Sequence, residues 1–138
     1  MNVVFADTLY WHSIANPRDQ WHISALQAKS RLGKVDLVTT EDVLVEFLSA
    51  MSSGGALLRQ TAVALVQTLL TDGSVRVLPQ AHLSFQRGLE LYARRLDKEY
   101  SLTDCISMNV MRDEGITDIL TNDHHFTQEG FTILIYRI

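Results

Sequence analysis

Short apolar runs alternate along this chain with longer stretches whose apolar residues recur about every 3.6 positions. The runs predict strands at Val3–Ala6, Asp36–Thr39, Val75–Leu78, Asp118–Thr121 and Thr132–Ile135. Helices are predicted between them at 8–15, 20–32, 41–51, 56–71, 81–98 and 103–114. In the fourth helix Leu58, Ala62, Leu65, Val66 and Leu69 form a core stripe, and Leu89, Tyr92, Ala93 and Leu96 repeat the pattern in the fifth. In the third, the expected stripe is Leu44, Phe47, Leu48 and Met51, widened by Val43 and Ala50. Pro17 and Asp19 break the first helix and cap the next, while Gly33 and Gly73 follow helices where a left-handed residue is wanted.

Strands alternating with helices imply an α/β chain: a parallel sheet of about five strands with helices on both faces. Two helices, spanning Glu41 to Thr71, stand between the second and third strands. No repeat, low-complexity tract or linker interrupts the chain, and Ser52-Ser53-Gly54-Gly55 reads as a turn. Residues 1–138 are therefore expected to form a single domain.

Open parallel sheets bind ligands beyond the carboxyl ends of their strands. Four acids fall at that edge or on helices that begin there. Asp7 ends the first strand and Asp123 follows the fourth, while Glu46 lies in the third helix and Asp104 opens the sixth. Each also has an ordinary structural reading. Asp7 fits the N-cap of the helix starting at Thr8. Glu46 lies about 40° beyond Ala50 at the edge of the apolar arc, as a half-exposed surface residue also would. Ser101-Leu102-Thr103-Asp104 fits a capping box, and Asp123 fits a turn cap before His124-His125-Phe126. Four independent caps have no reason to converge on one crevice. Carboxylates that do converge repel by roughly 3 kcal/mol per pair at ~5 Å and an effective dielectric near 20. A hard divalent cation with oxygen ligands relieves that repulsion, so a metal site is the favoured reading.

The composition changes this picture little. The chain has 138 residues, 46% hydrophobic and 20% charged, with a net charge of −4. It is long enough for one sizeable core and unlike a disordered chain. No apolar window reaches a membrane span, and no basic region precedes the first apolar run, so a cytoplasmic protein without a targeting peptide is expected. The single Cys105 forms no internal disulfide and no thiolate zinc site, and it reads as a small core residue. The acidic balance opposes broad binding to nucleic acid, yet Arg87, Arg94, Arg95 and Lys98 form a basic strip before Asp104. Taken singly, each is more simply a solvated helix charge. His124 and His125 read as loop residues, since adjacent histidines point apart. Trp11, His12, Trp21 and His22 suggest an aromatic patch rather than catalysis. No phosphate-binding loop, dinucleotide fingerprint or nucleophile elbow is present.

The ordered pieces Val4-Phe5-Ala6-Asp7-Thr8, Val43-Leu44-Val45-Glu46-Phe47, Ser101-Leu102-Thr103-Asp104 and Leu120-Thr121-Asn122-Asp123-His124-His125-Phe126 together resemble a PIN domain, most closely a VapC-type ribonuclease toxin. The likeness spans essentially the whole chain. It implies a three-layer α/β/α sandwich, a homodimer, and an Mg²⁺- or Mn²⁺-dependent endoribonuclease restrained by a small cognate antitoxin. On that likeness Asp7, Glu46 and Asp104 would hold the principal ion, and Asp123 would hold a second ion or orient water. Thr8 and Thr121 would orient the carboxylates. Arg94, Arg95 and Lys98 would guide single-stranded or looped RNA toward them. Two other classes stay open: a non-catalytic RNA-binding or scaffold module on the same fold, and a receiver-like phosphoacceptor protein. Receivers pair two acids early and use a late lysine, whereas Asp7 stands alone and no lysine follows Lys98.

Overall fold

The computed structural model of the chain describes residues 2–137. Its element order is β1 (Val3–Ala6), α1 (Thr8–Ala15), α2 (His22–Leu32), β2 (Asp36–Thr40), α3 (Glu41–Met51), α4 (Ala56–Thr71), β3 (Val75–Leu78), α5 (His82–Arg94), α6 (Leu102–Glu114), β4 (Asp118–Leu120), α7 (His124–Gln128) and β5 (Thr132–Ile133). The five strands form one sheet in the order β3-β2-β1-β4-β5, and every pairing is parallel. This is the expected α/β sandwich. The order reverses at β1: the chain moves outward through β2 and β3, then returns to β4 on the other side. That switch opens a crevice at the end of β1, where Asp7 stands. Among the described residues no helix is long and apolar enough to cross a membrane.

The central strands are buried because both sheet faces are covered; Val4, Phe5, Ala6, Ile119 and Leu120 are fully enclosed. Helix α6 is deeply packed as well, with Cys105, Ile106, Ser107, Met108 and Met111 inside. Its start is held by a reciprocal capping box between Ser101 and Asp104, and its end by Gly115 in the left-handed conformation at φ 69°. Gly33 likewise ends α2 with positive φ, but Gly73 does not; Asp72 closes α4 and its carboxylate turns the chain through Ser74. Asp19 does not cap α2 directly. It accepts from the Trp21 amide and from Ser13 and faces His12, which fixes the turn between the first two helices.

Two apolar stripes lie differently from the periodic reading. On α5 the inward residues are Gly88 and Leu91, while Leu89 is 50% exposed and Tyr92 and Ala93 also face outward. The helix stops at Arg94, and Leu96 is 84% exposed in the loop beyond. The reason is contact geometry. Gly88 gives α5 its close approach to α6: a Cβ at this position would lie 2.6 Å from Ile106 Cγ1. The glycine face, rather than the more hydrophobic one, therefore turns inward. On α3 the core arc is Val43, Leu44, Phe47 and Met51, and Leu48 and Ala50 are exposed. Ala50 lines the crevice beside Glu46.

Gly88→Ala sets two effects against each other. Alanine favours a helix over glycine by about 1 kcal/mol, whereas overpacking a closed contact costs about 1–3 kcal/mol. Ile106 is buried and branched at the contact, so the clash should win. The variant is expected to melt roughly 4 °C lower. An unchanged or raised Tm would show that α5 and α6 separate at no cost.

Candidate active site

A crevice of about 360 Å³ at the carboxyl edge of the sheet is lined by Asp7, Glu46, Asp104 and Asp123, with Thr8 and His12 at its margin. The acids come from four elements. Asp7 follows β1 at the N-cap position of α1, yet its side chain makes no capping bond. The Asp7 backbone carbonyl accepts from the Tyr10 and Trp11 amides, which leaves the carboxylate for the crevice. Glu46 borders the buried arc of α3, about 60° from Val43 at 100° per residue. Asp104 sits in the first turn of α6, where the helix dipole favours a negative charge. Asp123 caps α7, a five-residue helix too short to show a helical period in the sequence, by accepting from the His125 amide.

Every one of these carboxylates has one oxygen tethered. Thr121 Oγ1 donates to Asp7 Oδ2 at 2.9 Å, and Thr8 Oγ1 to Glu46 Oε1 at 2.6 Å. Asp104 Oδ2 accepts from the Ser101 amide at 3.2 Å and faces His125 Nδ1 at 3.0 Å. Asp123 Oδ1 accepts from the His125 amide at 2.9 Å. Among the described residues the second oxygens of Glu46, Asp104 and Asp123 make no hydrogen bond. Tethering one oxygen fixes the rotation of a carboxylate and leaves the other as a ready ligand atom. The arrangement suits a hard cation, since the free donors are anionic oxygens.

Electrostatics point the same way. Burial is the main force raising the Asp7 pKa to about 7, helped by the charges of Asp104 and Glu46 and opposed by hydrogen bonds from Thr121 and Thr8. Burial also raises Asp104, against the His125 and Ser101 hydrogen bonds. A carboxyl enclosed with other carboxylates gives up its proton at higher pH, and an arriving positive charge favours the ionised form.

His125 is the residue that periodicity and motif spacing passed over. Its ring lies against Asp104 and Asp123, and ligand atoms of the three come within 4.8 Å of one another. The one available signal was position: two residues after Asp123, it falls within the first turn of α7 and so returns to the crevice. His124 is exposed, as two adjacent helical side chains diverge. Trp11 is buried in the core, its Nε1 donating to Thr39, and His12 turns to Asp19. The basic strip is largely engaged elsewhere. Arg87 pairs with Asp113, Lys98 lies 3.3 Å from Asp97, and Arg95 is committed to Glu129. Arg94 has no carboxylate partner among the described residues.

With this geometry in hand, residues 4–131 match the PIN domain family. The chain belongs to the PIN domain family. Among solved structures it is similar to Mycobacterium tuberculosis VapC20, described as a toxin that cleaves the sarcin-ricin loop: 26% identity over 94% of this chain and 96% of that one, with a TM-score of 0.83. FitAcB from Neisseria gonorrhoeae shares the fold at a TM-score of 0.61 and 14% identity, over 95% of this chain and 96% of that one. No curated protein matches the chain by sequence.

The raised Asp7 pKa sets a pH dependence for this PIN domain without metal. A carboxyl at 3.8 unfolded and about 7 folded contributes stability that is complete below the unfolded value and lost as pH rises through the folded one. Tm in EDTA should therefore fall between about pH 4 and pH 7, and Asp7→Asn should flatten that fall. Parallel Tm–pH curves for the two proteins would remove Asp7 as the cause.

Proposed function

We propose that this protein is a metal-dependent endoribonuclease, the toxin of a toxin–antitoxin pair, with Asp7, Glu46, Asp104 and Asp123 as its acidic centre. The observation that carries the reading is the meeting of four carboxylates from separate elements, each with one oxygen held by a donor of this chain. A bound Mg²⁺ or Mn²⁺ would supply Lewis acidity toward water and charge relief on the leaving oxygen of a phosphodiester. Asp7, Glu46 and Asp104 would hold it, and Asp123 would hold a second ion or orient the attacking water. Thr121 and Thr8 keep Asp7 and Glu46 turned to the crevice. No side-chain nucleophile is needed: Cys105 is enclosed, and burial, with the Asp104 charge beside it, pushes its thiol up to about 11.

RNA as substrate is supported by family membership and by the likeness to the loop-cleaving VapC20. An unstacked loop bends into a narrow acidic crevice that a rigid duplex cannot enter. Arg94 is the cation of the strip left to meet its phosphates, since Arg87, Arg95 and Lys98 face Asp113, Glu129 and Asp97. A cytoplasmic location, a cognate antitoxin and a homodimer belong to the same reading, and the apolar residues Phe85, Leu89 and Tyr92, exposed on α5, are surface available to a protein partner.

Millimolar Mn²⁺ should raise Tm relative to EDTA, by about 3 kcal/mol of added stability at a hundredfold excess over Kd. The Asp7→Asn/Asp104→Asn double variant should show no such rise. Asp7→Asn, Glu46→Gln and Asp104→Asn should each lower RNA cleavage at least ~100-fold with the fold retained. If Asp104→Asn instead loses about 1 kcal/mol of stability with cleavage intact, the residue is only a helix cap.

The substrate reading is tested on a panel of ribosomal hairpin loops, the sarcin-ricin loop among them, with single-stranded RNA, duplex RNA and duplex DNA. Loops and single strands should be cut in Mg²⁺ or Mn²⁺ and duplex DNA spared. Arg94→Ala should weaken RNA binding and lower its salt slope by about 1 while changing turnover less. No cleavage of any RNA by the metal-loaded, partner-free protein would leave a non-catalytic RNA-binding module.

A further inference from the structure

We propose that His125 is a positioning residue of the acidic centre: its Nδ1–H, donated to Asp104, and its backbone amide, donated to Asp123, set how those two carboxylates are turned. The assignment rests on the reading of the crevice as a metal-dependent nuclease site. His125 Nδ1 lies 3.0 Å from Asp104 Oδ2 and 3.3 Å from Asp123 Oδ1. The same residue's amide donates to Asp123 Oδ1 at 2.9 Å, so one residue ties the first turn of α6 to the first turn of α7. Ionised carboxylates only accept, so the nitrogen facing them carries hydrogen in either the neutral Nδ1–H tautomer or the imidazolium. The role therefore does not depend on the charge of the ring.

The ring is itself held. It packs on Tyr100 with centroids 5.3 Å apart, and the Tyr100 hydroxyl donates to Glu129 Oε2 at 2.9 Å. Glu129, its side chain only 6% exposed, is clamped by Arg95 and Arg112. Burial alone would raise its pKa, but the hydrogen bonds from Arg95, Arg112 and Tyr100 bring it down to about 2, so it remains an anion at this hub. Turning the imidazole would disturb its contact with Tyr100. A ligand role for Nδ1 itself is the competing chemistry, because a nitrogen that lends its proton to a carboxylate has no lone pair left for an ion. The hydrogen bond between Nδ1 and Asp104, within a set of oxygen donors that suits hard cations, favours the donor.

Two measurements decide it. Without metal, a long-range ¹H–¹⁵N spectrum of the imidazoles should show Nδ1 of His125 protonated; a bare Nδ1 with hydrogen on Nε2 overturns the assignment. Without RNA, Mn²⁺ affinity is titrated calorimetrically for wild type, His125→Asn, His125→Gln and His125→Ala, each checked for folding by Tm. The asparagine amide reaches the Nδ1 position and should keep affinity within about 3-fold, whereas glutamine and alanine remove the side-chain donor, leave Asp104 to the Ser101 amide alone, and should lose about 10–100-fold. Equal affinity in all four proteins overturns the donor role. A wild type that binds no Mn²⁺ at all defeats the metal reading of the site, and the tautomer then still decides whether His125 is the donor.

Discussion

Repulsion among carboxylates gathered at the carboxyl edge of a parallel sheet is the constraint around which this molecule is organised. Asp7 is almost fully buried, and its nearest charged neighbours in effect are Asp104 and Glu46, so ionising it in the bare crevice is costly. Among the described residues no lysine or arginine lines the crevice to relieve that cost. The chain supplies neutral donors instead: the hydroxyls of Thr8 and Thr121 and the Ser101 amide. Such donors fix orientation without cancelling charge, leaving a strong local field for a divalent cation.

Positive charge in this region is placed behind the crevice. Arg95 and Arg112 converge on the enclosed Glu129, which also accepts from Tyr100. Removing one partner from such an enclosed network leaves an uncompensated charge, so the group holds α7 firmly against α5 and α6. Packing reinforces it from the other side, where Gly88 admits Ile106 at a distance no larger residue allows. Asp104 thus begins a helix that is deeply packed, and Asp123 begins a short one pinned at its far end by Glu129. Rigidity of the supports is what allows a carboxylate oxygen to be held in place for a ligand.

The sequence by itself determined the class of fold and the four acids. Strong alternation between apolar runs and helical stretches is a local signal, and each run became a parallel strand with small differences at its ends. The acids were legible because strand ends and helix starts are also local, and the carboxyl edge of an open sheet is where such residues meet. The capping box at Ser101 and Asp104 formed as written, and it coexists with an oxygen left free for the crevice.

Only the tertiary structure decided which face of a helix turns inward and which cations are free. Periodicity reports that an apolar stripe exists but not what covers it; on α5 the close approach at Gly88 outweighed the larger hydrophobic area of Leu89 and Tyr92. The partners of Arg87 and Arg95 lie 26 and 34 residues away, beyond any local pattern. His125 meets Asp104 across 21 residues, because a five-residue helix after β4 swings its ring back over α6. A side chain's neighbours in sequence favour one element over another; its charge partners and its burial are settled by segments that only folding brings together.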